Sequence, residues 1–159
     1  MNFTKEKICR ISTWALSIFI AFIFVQSLFF KFTDAPETQH IFGTLNQWGA
    51  DALGVEGLFL APGIFNQYVV GSAELLASVL LILGLVTRFK FLNPLGALVA
   101  FGVISGAVFF HLFTPLGIDV QGDGGALFGT AVGILFASLI LIYKGRKLLC
   151  GLLCRKCAK

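Results

Sequence analysis

Four stretches of this chain, at about residues 11–32, 66–87, 92–112 and 125–143, stay apolar long enough to cross a bilayer, which takes about 20 mostly apolar residues. Between the first and second the pattern changes. Ile41, Leu45, Trp48 and Ala52 recur at i, i+4, i+7 and i+11, with Gln39, Thr44, Asn46 and Gln47 elsewhere on the wheel. That spacing predicts an amphipathic segment in the interface, with Trp48 at headgroup level. Asp34 is positioned to cap it, with Pro36 and Glu37 in its first turn. Gly54, Gly57 and Pro62-Gly63 end it before the second span. The segment reads either as a lid over the bundle or as an interfacial anchor.

The spans carry internal patterns as well. Thr13, Ser17, Ile20, Phe24, Ser27 and Lys31 alternate spacings of four and three, which predicts a bundle-facing seam on the first helix. Gln67, Gly71, Glu74 and Ser78 share one face of the second. Gly96, Ala100, Gly102, Ser105, Gly106 and Ala107 leave the third span little side chain to obstruct neighbours. Gly129, Gly133 and Ala137 form a small-residue ridge on the fourth. Asn93-Pro94 lies in the first turn of the third span, where proline is tolerated. The loop from Thr114 to Gly125 is rich in turn formers.

Composition agrees with this reading. Of 159 residues, 57% are hydrophobic and 13% charged, and the mean hydropathy is +0.91, outside the range of water-soluble domains. The fold class expected is an all-α membrane protein, a four-transmembrane-helix bundle with the interfacial amphipathic segment in its first outer loop. Every backbone polar group must be satisfied internally in lipid, which helices achieve. The net charge of +4 does not point to nucleic acid, because of how it is distributed. Lys5, Lys7 and Arg10 precede the first span, Arg88 and Lys90 separate the second and third, and Lys144, Arg146, Lys147, Arg155, Lys156 and Lys159 follow the fourth. The other two loops hold Asp34, Glu37, Asp51, Glu56, Asp119 and Asp123. The positive-inside rule then puts both termini in the cytoplasm and the acidic loops outside. The chain divides into a basic tail (1–10), a membrane domain (11–143) and a basic tail containing cysteines (144–159). The first apolar run exceeds the 7–15 residues of a signal peptide and lacks a small-x-small cleavage site, so it is expected to be a retained helix.

The candidate chemistry follows from that topology. Glu74 sits in an otherwise apolar run, roughly two turns or ~12 Å from its outer end. A charge at membrane depth costs at least ~2.5–3.5 kcal/mol, so it implies a partner, a water-filled cavity or a task. Lys31 and His111 end the first and third helices on the same side, with Asp119 and Asp123 above. Two readings stand. In one, Lys31 pairs with Glu74 and locks helix order. In the other, Glu74 and His111 flank an outer-side pocket and transfer protons, with Lys31, Gln26, Tyr68, Ser78 and Asp123 as ligand contacts. His40 reads as a solvated surface residue. Phe29, Phe30, Phe109 and Phe110 could face lipid or line a pocket for an isoprenoid tail. Cys150, Cys154 and Cys157, with Cys9 at the same membrane face, read first as reduced thiols. Metal binding, thiol exchange and acylation are the alternatives. No phosphate loop, His-Glu-x-x-His or nucleophile elbow occurs.

Several short motifs resemble the DoxX family of small membrane proteins. They are Phe29-Phe30-Lys31-Phe32, Gly71-Ser72-Ala73-Glu74-Leu75-Leu76, Leu83 to Arg88, Phe109-Phe110-His111 and Gly122-Asp123-Gly124-Gly125, within about residues 10–145. The resemblance implies a four-helix bundle in the cytoplasmic membrane. It also implies kinship with a subunit of a thiosulfate:quinone oxidoreductase and with partners of oxidative-stress complexes. More distant relatives resemble assembly chaperones or sterol-modifying proteins that use acidic and histidine residues in a membrane cavity. By that analogy Glu74 and His111 are the functional pair with Lys31 supporting, and the cysteine-rich tail lies outside the pattern. The expected role is an accessory component of a membrane redox system. Its partners would be the bilayer, a quinone or lipid headgroup in the outer pocket, a redox partner protein and a second copy of the chain. A non-enzymatic assembly scaffold is the alternative. A proton or small-solute carrier ranks lower, since nothing ionisable continues the path to the cytoplasm.

Overall fold

The computed structural model describes residues 3–153. It contains five helices: α1 (Phe3–Phe32), α2 (Pro36–Leu53), α3 (Gln67–Val86), α4 (Leu92–Phe113) and α5 (Ala126–Leu153). No strand occurs among the described residues. Four helices are long and apolar enough to span a membrane: Glu6–Phe32, Gln67–Val86, Leu92–Phe113 and Ala126–Gly151. This is an all-helical, multi-pass membrane bundle embedded in lipid. α1 and α5 run past the apolar stretches into both basic segments. Lys, Arg, Glu and Leu favour helix, and backbone hydrogen bonding does not stop where the lipid does.

The four long helices form a ring in which α1 packs on α3, α3 on α4, α4 on α5 and, more lightly, α5 on α1. Lys31 at the end of α1 meets Gln67 at the start of α3, so these two are antiparallel. Lys144 late in α5 likewise meets Cys9 and Ser12 early in α1. The bundle therefore has a basic end, where α1 begins, and an acidic end, where α1 finishes.

The α1 seam lies where its spacing predicts, with Ser17, Ile20 and Phe24 essentially sealed from solvent. Ile20 and Phe24 join Ala77, Leu81, Ala97, Ala100, Ile134 and Leu141 in the main core. Small residues set the helix spacing, but not all of those singled out by pattern. A Cβ on Gly84 would collide with the backbone of Asn93, and one on Gly96 with the Leu81 amide and Ala77 carbonyl. Gly102 and Gly129 face open space. A small residue matters only where another backbone comes to it, and periodicity alone does not report that.

The acidic end has a second core. Phe42 and Leu45 of α2, Phe59 of the following loop, and Leu116 and Val120 of the α4–α5 loop pack together, with Trp48 and Phe110 against them. Trp48 meets Phe110 edge-on at 6.1 Å, and Phe110 lies edge-on to Phe59 at 5.2 Å. The amphipathic segment is thus a helix packed onto the bundle. Its buried stripe runs through Thr38, Phe42, Leu45 and Gly49, while Ala52 is exposed. Asp34 does not cap this helix; Ala35 occupies that position without a side-chain bond. Asp34 has a left-handed backbone (φ 56°), and its carboxylate instead accepts from Gln39 and Gln67.

Candidate functional site

The site begins with the burial of one face of α3. Gln67, Gly71, Glu74, Ala77 and Ser78 all turn inward, as their spacing requires. Asn66 starts this helix, its side-chain oxygen accepting from the Tyr68 and Val69 amides at 2.8 and 3.0 Å. Gly71 leaves room for the neighbouring helix: a Cβ there would touch Leu28, Phe32 and the Lys31 stem at 3.4–3.5 Å. The Glu74 carboxylate consequently faces the last turns of α1.

There it meets Lys31 and Ser27. The Lys31 ammonium donates to Glu74 Oε1 at 3.1 Å, to Oε2 at 3.0 Å and to Ser27 Oγ at 2.9 Å. Ser27 Oγ donates to Glu74 Oε2 at 2.6 Å. The three groups form a closed triad, and Lys31–Glu74 is the one ion pair among the described residues. The Glu74 side chain is 7% exposed and that of Lys31 15%, so most of the pair is out of solvent. Ser27 and Lys31 are four residues apart on the predicted seam, which lets one helix present both donors to one carboxylate.

Further polar contacts lie beside the triad, toward the acidic end. Gln67 Nε2 donates to the Lys31 carbonyl at 3.0 Å and to Asp34 Oδ1 at 2.8 Å, and Asp34 Oδ2 accepts from Gln39 at the exposed acidic end. Lys31 takes part in both sets of contacts, through its ammonium with Glu74 and through its backbone carbonyl with Gln67, and no hydrogen bond among the described residues links the Glu74 carboxylate to Gln67. Gln67 was legible as part of the buried face. Its bond to Asp34 was not, because that depends on the left-handed turn between α1 and α2.

The other candidates are dispersed. His111 is buried near the end of α4, with Nδ1 2.7 Å from the Gly117 carbonyl. A carbonyl only accepts, so Nδ1 carries a proton. The ring also meets Phe128 of α5 edge-on at 5.7 Å. No hydrogen bond or ion pair joins His111 to Glu74 in the described residues. Ser78 Oγ donates to the backbone carbonyl of Glu74 at 2.8 Å, one turn back in its own helix. Tyr68 is exposed beside Phe32, and Gln26 is exposed on α1. Phe29, Phe30 and Phe109 project outward, whereas Phe110 belongs to the acidic-end core.

Asp123 gathers amides ahead of α5. Its Oδ1 accepts from Val120 at 3.0 Å and Gly125 at 2.9 Å, and Oδ2 accepts from Leu127 at 2.8 Å. These bonds, led by those of Leu127 and Gly125, hold its carboxyl below the ordinary aspartate range. Cys9 and Cys150 are exposed free thiols; Cys154 and Cys157 lie outside the described residues. Among the described residues no three His, Cys, Asp or Glu side chains are grouped to hold a metal ion.

A second polar cluster links the helices nearer the basic end. Asn93 Nδ2 donates to Ser17 Oγ at 2.8 Å and to the Leu81 carbonyl at 3.1 Å, joining α4 to α1 and α3. Its signal in the sequence was an amide inside the apolar run of the third span.

The DoxX family model matches residues 14–112, well over half of the chain, and the protein belongs to the DoxX family. No curated protein and no solved structure matches the chain.

Proposed function

We propose that this DoxX-family protein is an accessory subunit of a membrane redox system, supplying a lipid-embedded scaffold to a partner that carries the electron-transfer centre. The observation that supports a scaffolding role is the closure of the triad. Both Glu74 oxygens are taken by α1, and the Lys31 ammonium is fully engaged, so the charges fix one helix register. Ion pairs in apolar surroundings are best attested in such a role. The redox assignment follows what the family resemblance implies. On the positive-inside rule the basic end lies in the cytoplasm and α2 faces outward.

A second reading is favoured by the polar groups of Gln67 and Asp34 that lie between the triad and the exposed acidic end. A quinone or lipid headgroup at the acidic end would displace Ser27 or Lys31 from the carboxylate, and Glu74 would take or give its proton. His111 would serve as the second proton-transfer group, with Gln26, Tyr68, Ser78 and Asp123 as peripheral contacts.

Extraction in native nanodiscs followed by mass spectrometry separates the two. Wild type, Glu74→Gln and the double variant Lys31→Met/Glu74→Leu are compared for co-isolated proteins and lipids. The scaffold reading expects wild type and the double variant to carry the same partner protein, with no lipid that depends on Glu74. A quinone found with wild type and missing from folded Glu74→Gln overturns it in favour of the headgroup site.

A further inference from the structure

We propose that the basic end carries a site for the headgroup of an anionic phospholipid, seated between the start of α1 and the α3–α4 turn. Two clefts of about 680 and 420 Å³ open there, and Arg10, Trp14, Leu85 and Lys90 line both. The first continues along Ile11 and Ala15 on the flank of α1. The second runs inward beneath Lys144 to Asn93, Pro94 and Leu141.

The chemistry of the shared rim fits a phosphodiester on an apolar body. Arg10 offers a planar fork for phosphate oxygens and Lys90 a point charge. Trp14 presents an amphipathic ring where headgroups lie, and Ile11, Ala15 and Leu85 offer apolar wall to the chains below. The cations are not discharged by protein. Lys31–Glu74 is the one ion pair among the described residues, so Arg10, Lys90 and Lys144 have no carboxylate partner among them. Lys90 Nζ donates to the Leu85 carbonyl at 2.8 Å, and Lys144 Nζ to the Cys9 carbonyl and Ser12 Oγ at 2.8 and 2.6 Å. These neutral acceptors hold the ammonium groups at the rim without cancelling their charge. Among the described residues, Glu6 is the only acid lining either cleft.

Topology alone requires only that cations lie near the ends of the spans. Here they come from three separate segments (α1, the α3–α4 turn and α5) and converge on a recess, as in basic pockets that bind acidic lipid headgroups. The apolar walls favour a lipid over free phosphate.

Native mass spectrometry of protein from nanodiscs of mixed phosphatidylglycerol and phosphatidylcholine tests the site, with melting temperature as the folding control. Wild type should retain phosphatidylglycerol over phosphatidylcholine. Arg10→Gln/Lys90→Gln should weaken that retention roughly 30-fold, about fivefold per charge, whereas Lys90→Arg and the pair Arg146→Gln/Lys147→Gln, which lines neither cleft, should keep it. Should the double variant fail to fold, Arg10→Gln alone decides, because Arg10 is exposed. Equal loss from both double variants would mean diffuse charge attraction and overturns the proposal. So does equal retention of the two lipids, or displacement of the lipid by millimolar inorganic phosphate.

Discussion

Two of the polar fasteners that tie α1 to its neighbours are made of opposite materials. Near the acidic end the Lys31–Ser27–Glu74 triad holds α1 to α3 with full charges. Nearer the basic end Ser17, Asn93 and the Leu81 carbonyl hold α1, α4 and α3 together with neutral groups. Both use the same stripe of α1. The neutral fastener has short side chains, so it works only where backbones come close, and Gly84 against Asn93 provides that approach. The charged one reaches across the helix gap on the long Lys31 stem beside Gly71. A neutral amide unpaired in lipid is a modest loss. An unpaired charge there is a large one, so the acidic end tolerates matched changes and punishes single ones.

The largest effect comes from removing one charge. Glu74→Leu leaves the Lys31 ammonium without its carboxylate and should lower stability by about 3–5 kcal/mol, read from reversible unfolding in detergent. Adding Lys31→Met should recover most of that loss, since an apolar pair of similar volume replaces the ions. A double variant as unstable as the single would show that the triad is not self-contained. Next in size is Gly84→Ala, which forces Asn93 away and should cost about 1–3 kcal/mol through overpacking. Asn93→Ala removes the neutral bonds without moving a helix and should cost only about 0.6–2 kcal/mol. If Asn93→Ala proved as damaging as Glu74→Leu, the contrast between the two fasteners would fail.

The smallest effect tests a carboxylate outside the spans. Asp123 has its folded pKa depressed by backbone amides, so the stability it contributes is present above the unfolded value of 3.8 and is lost as pH falls through the lower folded value. Asp123→Asn should abolish that acid-range dependence, followed by hydrogen exchange of the Gly125 and Leu127 amides, and leave behaviour at neutral pH nearly unchanged. Unaltered exchange between neutral pH and the acid range in wild type would show that these bonds do not depend on the charge.

Much of the fold was legible because lipid leaves few choices. Four long apolar runs must be helices, and the seam through Ser17, Ile20, Phe24 and Lys31 emerges buried or half-buried as its spacing predicts. The pairing of Lys31 with Glu74 was one of two readings that the sequence allowed. Less legible was α2, whose buried stripe passes through Phe42 and Gly49 instead of Ala52, because the residues covering it come from Phe59, Leu116 and Val120 far along the chain. The small-residue patterns were only half legible: Gly96 meets backbone while Gly102 and Gly129 meet nothing, and Gly84, outside those patterns, meets the backbone of Asn93.

By itself, then, the sequence determined the number of spans, the inward faces of α1 and α3, and the segregation of charge between the two ends. Hydrophobic length, helical period and the positions of Lys and Arg are local properties of a chain. Tertiary structure alone decided that Ser27 would complete the triad, that Asn93 would reach Ser17, and that Arg10, Lys90 and Lys144 would converge on one recess. Each of these depends on which helices lie side by side and at what register. That is set by the sum of packing over the whole bundle, and no single segment carries it.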